Sequence, residues 1–185
     1  MSDAAMLAIG ALAMVMPASG NVVAEIRPHV PVTETAVAPL TFAGRYATSD
    51  PWAGSELHVF PDGTYIYAQW GCEEPHSVYD KGTWRLDGSR LSLASDPEVV
   101  WDAHLDREFV TIRREAKTDV LLMGTVRAAA RFKSMVDRHR QVDPDLILAL
   151  TALQRTEQYD PSRGSDVKAA LLKSAWRPEQ FGAGR

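Results

Sequence analysis

Glu56-Leu57-His58-Val59-Phe60-Pro61-Asp62-Gly63-Thr64-Tyr65-Ile66-Tyr67-Ala68-Gln69-Trp70 is the stretch whose reading decides the fold. Apolar and polar residues alternate on both sides of Pro61-Asp62-Gly63, the period-two pattern of a strand. Proline presets φ early in a turn and glycine takes the positive φ that a tight turn requires, so the three residues predict a hairpin. The pattern repeats outward in short runs at 82–86, 90–94, 99–105, 108–113 and 119–123, with Asp87-Gly88 as a second turn signal. An antiparallel meander follows. One face is assigned Leu57, Val59, Ile66, Ala68, Trp70, Trp84, Leu86, Leu91, Leu93, Val99, Trp101, Val110, Ile112, Val120 and Leu122, and the other Glu56, His58, Tyr65, Tyr67, Gln69, Arg85, Asp102, His104 and Arg113. Seven or eight short strands with one apolar face resolve their open edges by closing into a barrel or curling strongly.

The whole chain of 185 residues is 45% hydrophobic and 24% charged with a single cysteine, which excludes a disordered protein, a collagen-like repeat and a disulfide scaffold. A formal charge of −4 argues against a protein built to coat nucleic acid. That total hides an asymmetry. Residues 1–124 carry nine basic and 17 acidic side chains, whereas residues 125–185 carry 11 and seven.

Residues 4–16 form an apolar run followed by Pro17, Ala18, Ser19 and Gly20, the layout of a signal peptide over residues 1–24. As a helix the run reaches only about 20 Å, short of the roughly 30 Å hydrocarbon core of a membrane. Small residues allow cleavage after Gly20 or Ala24. No Lys or Arg precedes the run, so a packed N-terminal helix is the alternative. The sole cysteine, Cys72, is far from either cleavage point, so neither a lipid nor another stable membrane anchor is expected, and a periplasmic or secreted location is. Residues 25–41, with Pro28, Pro31 and Pro39, read as an extended linker or an arm along a sheet edge.

Gly44-x-Tyr46, Phe60-Pro61-Asp62-Gly63-Thr64-Tyr65 and Lys81-Gly82-Thr83-Trp84 resemble the lipocalin-like (calycin-type) small β-barrel domains of exported bacterial proteins of unassigned function, over about residues 42–124. The family opens on Gly-x-Trp, and here Tyr46 stands in the aromatic position. The resemblance implies a barrel able to hold an apolar ligand, whose aromatic contacts would be Tyr65, Tyr67, Trp70, Trp84 and Trp101. Trp70, Trp84 and Trp101 are also bulky enough to fill the interior themselves, and core packing is the preferred reading of these three indoles.

Residues 125–185 read as a helical segment packed on the β domain, making the chain an α+β protein. In the first helix Ala128, Phe132, Met135, Val136 and His139 form one stripe, and Arg127, Arg131 and Arg138 an adjacent one. Asp143-Pro144 predicts the start of a second helix carrying Leu146, Ile147, Leu150 and Leu153, and Asp160-Pro161 its end. A third is expected over 165–176. The arginine stripe reads as a solvated face or a complement to the acidic half; a partner-binding helix, or contact with anionic lipid or nucleic acid, are the other readings.

Chemistry is sparse. Cys72, Glu73, Glu74 and His76 form the densest reactive cluster, but Pro75 opposes the helix that would align Cys72 with His76, and two carboxylates raise a thiol's pKa rather than activate it. The five histidines lack the paired spacing of zinc sites, with a cluster of His58 and His104 on the polar sheet face as the exception to consider. No nucleophile elbow, metalloprotease helix, phosphate loop or dinucleotide fingerprint occurs. The expectation is a non-catalytic binding protein of the cell envelope without metal or cofactor, taking a small apolar ligand or a protein partner. The alternatives are an inhibitor or immunity-type protein that blocks an envelope enzyme through its acidic surface, and a Cys/His-dependent hydrolase.

Overall fold

The computed structural model describes residues 21–48, 53–71, 76–97, 105–115 and 119–175. In chain order these form α1 (Val22–Ile26), β1 (Val32–Glu34), α2 (Pro39–Phe42), β2 (Gly44–Ala47), β3 (Ala53–Val59), β4 (Thr64–Gly71), β5 (Ser77–Asp87), β6 (Arg90–Ser95), β7 (Glu108–Arg114), β8 (Val120–Gly124), α3 (Arg127–Arg138), α4 (Pro144–Thr151), β9 (Leu153–Gln158) and α5 (Pro161–Ser174). The sheet runs β1-β7-β6-β5-β4-β3-β2-β9-β8, and β7 also pairs with β8. Eight antiparallel strands, β2 to β9, therefore close into a barrel, which removes every exposed edge in that ring. The α+β class and the closed barrel expected from the alternation are both present.

The turns are built as the sequence predicts. Gly63 and Gly88 take φ of 84° and 61°, and the Asp62 carboxylate accepts from the Thr64 backbone N–H at 3.0 Å, tying down the turn between β3 and β4. That turn also sets the register. It pairs Leu57 with Tyr67 and Val59 with Tyr65, so the two tyrosines face the barrel interior beside the leucine and valine. Ile66 and Ala68 pair with His58 and Glu56 on the outside. The sequence assignment of Tyr65 and Tyr67 to a solvated face is corrected here, and so is the joint placement of Val110 and Ile112 with Leu122. Val110 and Ile112 pair with Met123 and Leu121 on the outer surface, while Leu122 points inward. The physical reason is the same in both places. Helices cover the outside of these strands, so both faces are buried and hydrophobicity no longer marks which side is inside.

Three apolar clusters result. Tyr46, Leu57, Val59, Tyr65, Leu91 and Phe109 are among those filling the barrel, with Phe42 of α2 at one end, its ring 5.4 Å from that of Tyr46 and 5.7 Å from Trp84. On the outside of β7 and β8, Val22, Val23 and Ile26 of α1, Phe132 of α3 and Ile147 and Leu148 of α4 bury Ile112, Leu121 and Met123. Over β4 and β5, α5 lays Val167, Leu171 and Leu172 against Phe60, Ile66, Val78 and Tyr159. Burying one such leucine or isoleucine side chain contributes about 1.5–3 kcal/mol.

The Pro-rich segment is an edge-lying arm in part. Its residues 32–34 form β1, which pairs with the stretch of β7 beyond the end of β6. The helical reading of the C-terminal segment is corrected at one place. α4 ends at Thr151, Ala152 turns to extended backbone (ψ 150°), and Leu153–Gln158 becomes β9, inserted between β2 and β8. Asp143 does cap α4, accepting from the Asp145 N–H at 2.9 Å, but Asp160 starts α5 rather than ending a helix, accepting from Arg163 N–H at 2.8 Å. Leu153 thus belongs to the barrel interior, not to a helical apolar stripe.

Candidate functional site

The barrel end away from Phe42 holds a cavity of about 380 Å³ that opens to solvent. Its depth is apolar, formed by the inward side chains of Phe109 on β7, Leu122 on β8 and Leu153 on β9, with Leu105 beside them. One wall is polar and ordered. Gln69 Nε2 donates to Tyr67 Oη at 2.7 Å, and Tyr67 Oη–H donates to Ser55 Oγ at 3.0 Å. These three side chains share an inner face because Gln69 pairs with Ser55 and Tyr67 with Leu57 across β3 and β4. Burial raises the Tyr67 phenol above its ordinary value, so it stays protonated and donating at neutral pH.

The first turn of α3 overhangs the opening. Its N-cap residue, Val126, has no capping side chain. Asp106, 20 positions upstream and buried, does that work from across the barrel end: its carboxylate accepts from the backbone N–H of Arg127 at 2.8 Å and of Ala128 at 3.0 Å. Gly124 makes room, since a Cβ there would sit 1.9 Å from Asp106 Oδ2. The helix so fixed places Arg127 and Arg131, four residues apart and therefore on one face, at the cavity lining with their side chains exposed. Thr48 and Thr151 complete the rim.

A second polar group lies under α5. Glu56 and His58 on the outer face of β3 are 2% and 3% exposed, not solvated as the alternation implied. His58 Nε2 is 3.0 Å from Glu56 Oε2 and its Nδ1 is 2.8 Å from Tyr159 Oη. A carboxylate only accepts, so Nε2 carries a proton and donates to Glu56, while Nδ1 and the Tyr159 hydroxyl form the second hydrogen bond. Arg45 pairs with the other Glu56 oxygen, and His76 Nε2 stands 3.3 Å from Oε2. Burial alone would raise the Glu56 carboxyl, but His58, Arg45 and His76 outweigh it and hold it down at about 2. Burial pushes the Tyr159 phenol upward, the opposite of what a nucleophile or base needs, and the ring is stacked between α5 and the barrel with Phe60 at 5.8 Å. This relay is a joint that docks the C-terminal helix.

Of the aromatic contacts named from sequence, Tyr67 lines the cavity. Tyr65 lies deeper in the interior, hydrogen-bonded to Asp80 at 3.0 Å. Trp84 packs against the filled end and donates from Nε1 to the Phe60 carbonyl at 2.9 Å. Trp70 pairs opposite Gly54, its ring occupying the space a Cβ at Gly54 would fill. Trp101, Cys72 and His104 lie outside the described residues. Among the described residues no group of His, Cys, Asp or Glu side chains is arranged to hold a metal ion. Asp106, Ser55, Gln69 and the placement of Arg127 and Arg131 are not identified as site residues by sequence reasoning. The i,i+4 arginine pair directly after the last run of the meander is the signal that points to them. No protein-family profile, curated protein or solved structure matches this chain.

Proposed function

We propose that this chain is a non-catalytic binding protein, a lipocalin-like barrel of the cell envelope that carries a small ligand with an apolar part. The observation that carries the reading is the cavity at one end of the barrel, apolar in its depth and bordered by ordered hydrogen-bonding side chains. Ligand pockets combine these features at volumes of roughly 300–1,000 Å³, and barrel ends are among their usual places. The interior is filled at the other end, so the ligand is held at one mouth and not along the full axis.

Export is part of the proposal and rests on the apolar run at 4–16 with small residues after it. Val22 and Val23 are buried in the cluster between α1, α3 and the barrel. Removal of the leader after Gly20 keeps both, whereas removal after Ala24 strips them from the core, so Gly20 is the cleavage point consistent with this packing. None of the described helices is long and apolar enough to cross a membrane. Native mass spectrometry of purified protein, with organic extraction of what it carries, tests the binding reading. A retained small molecule, released by the extraction, is the expected result; protein that carries nothing and takes up no apolar probe overturns it.

A further inference from the structure

We infer that the exposed face of α3 and the turn after it form a docking surface for an anionic lipid bilayer, a reversible contact in which α3 lies along the surface. The inference goes beyond the binding reading and does not depend on what the cavity holds. Positive charge is concentrated here. Residues 125–142 carry five basic side chains and one acid, Asp137, in a chain whose formal charge is −4. The ion pairs among the described residues join strands and turns of the barrel to one another, to α4 and to α5. Arg131, Lys133, Arg138 and Arg140 enter none of them, make no hydrogen bond with a described residue, and are all exposed. Arg127, engaged within the fold, does not belong to this set.

A second, independent feature coincides with the charge. Among the described residues the large apolar side chains that stand exposed are Val126, Val142 and Leu146, at 69%, 38% and 53%. Val126 is the N-cap residue of α3, Val142 lies in the turn after it, and Leu146 is in the first turn of α4, which packs against α3. Aliphatic groups therefore stand at both ends of a helix about 18 Å long, with the cations between and beside them. Ala129 and Phe132 face the core, which leaves Ala130, Ser134 and Asp137 at the centre of the exposed arc of α3, Lys133 on one flank and Arg131 and Arg138 on the other. Asp145 at the start of α4 does not offset these cations, because its carboxylate pairs with Arg114. Cations with aliphatic neighbours match the headgroup boundary of an anionic bilayer, where the charges meet phosphates and the apolar tips leave water. A nucleic acid or a purely acidic polypeptide matches the cations and leaves the three aliphatic side chains in water.

The test sediments the full chain with vesicles of phosphatidylcholine alone and of phosphatidylcholine with about one-third phosphatidylglycerol, at about 0.1 M and about 0.5 M salt. Two double variants, Arg131→Gln/Arg138→Gln and Val142→Gln/Leu146→Gln, change exposed side chains only, and circular dichroism with an unchanged melting temperature verifies that each keeps its fold. Polyglutamate and duplex DNA are titrated into the wild-type protein by calorimetry. Expected are binding to the anionic vesicles about tenfold tighter or more than to the neutral ones, and weakening at the higher salt. The arginine variant is expected to lose roughly 25-fold, from roughly fivefold for each cation at the surface, and the apolar variant about threefold or more. Equal binding to the two kinds of vesicle, binding to neither, or an arginine variant that binds as the wild type each overturns the docking surface. An apolar variant that binds as the wild type, or polyglutamate or duplex DNA held as tightly as the anionic vesicles, overturns the lipid and leaves a general polyanion site.

Discussion

Replacing Asp106 with alanine removes the side chain that caps α3 across the barrel end, and the structure sets the size of the effect. Two backbone N–H groups, those of Arg127 and Ala128, lose an ionised acceptor. Losing a cap costs about 0.5–2 kcal/mol, and a carboxylate at a helix start adds about 0.3–1 kcal/mol through the macrodipole. The sum is about 2 kcal/mol, which for a chain of this size lowers the melting temperature by roughly 4–8 °C and the urea midpoint by about 1 M. Gly124→Ala attacks the same arrangement from the other side. Its Cβ would lie 1.9 Å from Asp106 Oδ2 and 2.6 Å from Cγ, so the carboxylate must leave its place, at a cost of about 1–3 kcal/mol. With Asp106 already alanine, only the Asp106 Cβ position, 2.8 Å away, remains in conflict, and a small shift relieves it. The double variant is therefore expected to be about as unstable as the worse single variant, a coupling of about 1–2 kcal/mol. Urea unfolding of the four proteins, followed by tryptophan fluorescence, measures it. Effects that add to within about 0.5 kcal/mol would refute the claim that Gly124 is there to accommodate the cap.

Ala128→Trp places an indole in the cavity lining and is expected to abolish uptake of apolar probes while circular dichroism stays unchanged, which equilibrium dialysis checks. Glu56, whose carboxyl is held at about 2 in the folded protein, contributes stability that is complete above its ordinary value of 4.5 and lost as pH falls from there toward 2; the loss is of order 3 kcal/mol, and in Glu56→Gln the acid limb of stability against pH is correspondingly flatter. A chain stopped after Thr151 lacks β9 and leaves β2 and β8 without their shared neighbour, so it is expected to show no cooperative urea transition, in contrast to the full chain. Under the export proposed above, the mature N-terminus read by intact mass is expected at Asn21.

The barrel was legible because hairpin turns carry local chemistry: Asp62-Gly63 and Asp87-Gly88 announce themselves, and the runs between them are short and alternating. Which face turns inward was less legible. Tyr65 and Tyr67 looked like the polar partners of Ile66 and Ala68, yet all four are buried, because α5 covers the outside of the same strand. Leu153-Gln154-Arg155-Thr156-Glu157-Gln158 alternates well enough for a strand, but it follows a helix with a strong start signal, and what makes it a strand is the vacant edge of β2, far away in sequence. The cavity shows the same division. Arg127 and Arg131 were visible as a stripe, whereas the fact that the stripe overlooks the barrel end depends on Asp106, a lone acid whose role exists only once Gly124 is beside it.

The pairing of β2 with β9 joins Arg45 to Glu157. More than half the polypeptide therefore has to be synthesised before the first strand of the ring finds its second neighbour, and the loop that this contact closes is long and entropically slow to form. Until then the nascent chain is an unfinished ribbon with two sticky margins, the kind of species that holdase chaperones recognise. Under the export proposed above, that delay is an advantage: the last rivet goes in after the crossing.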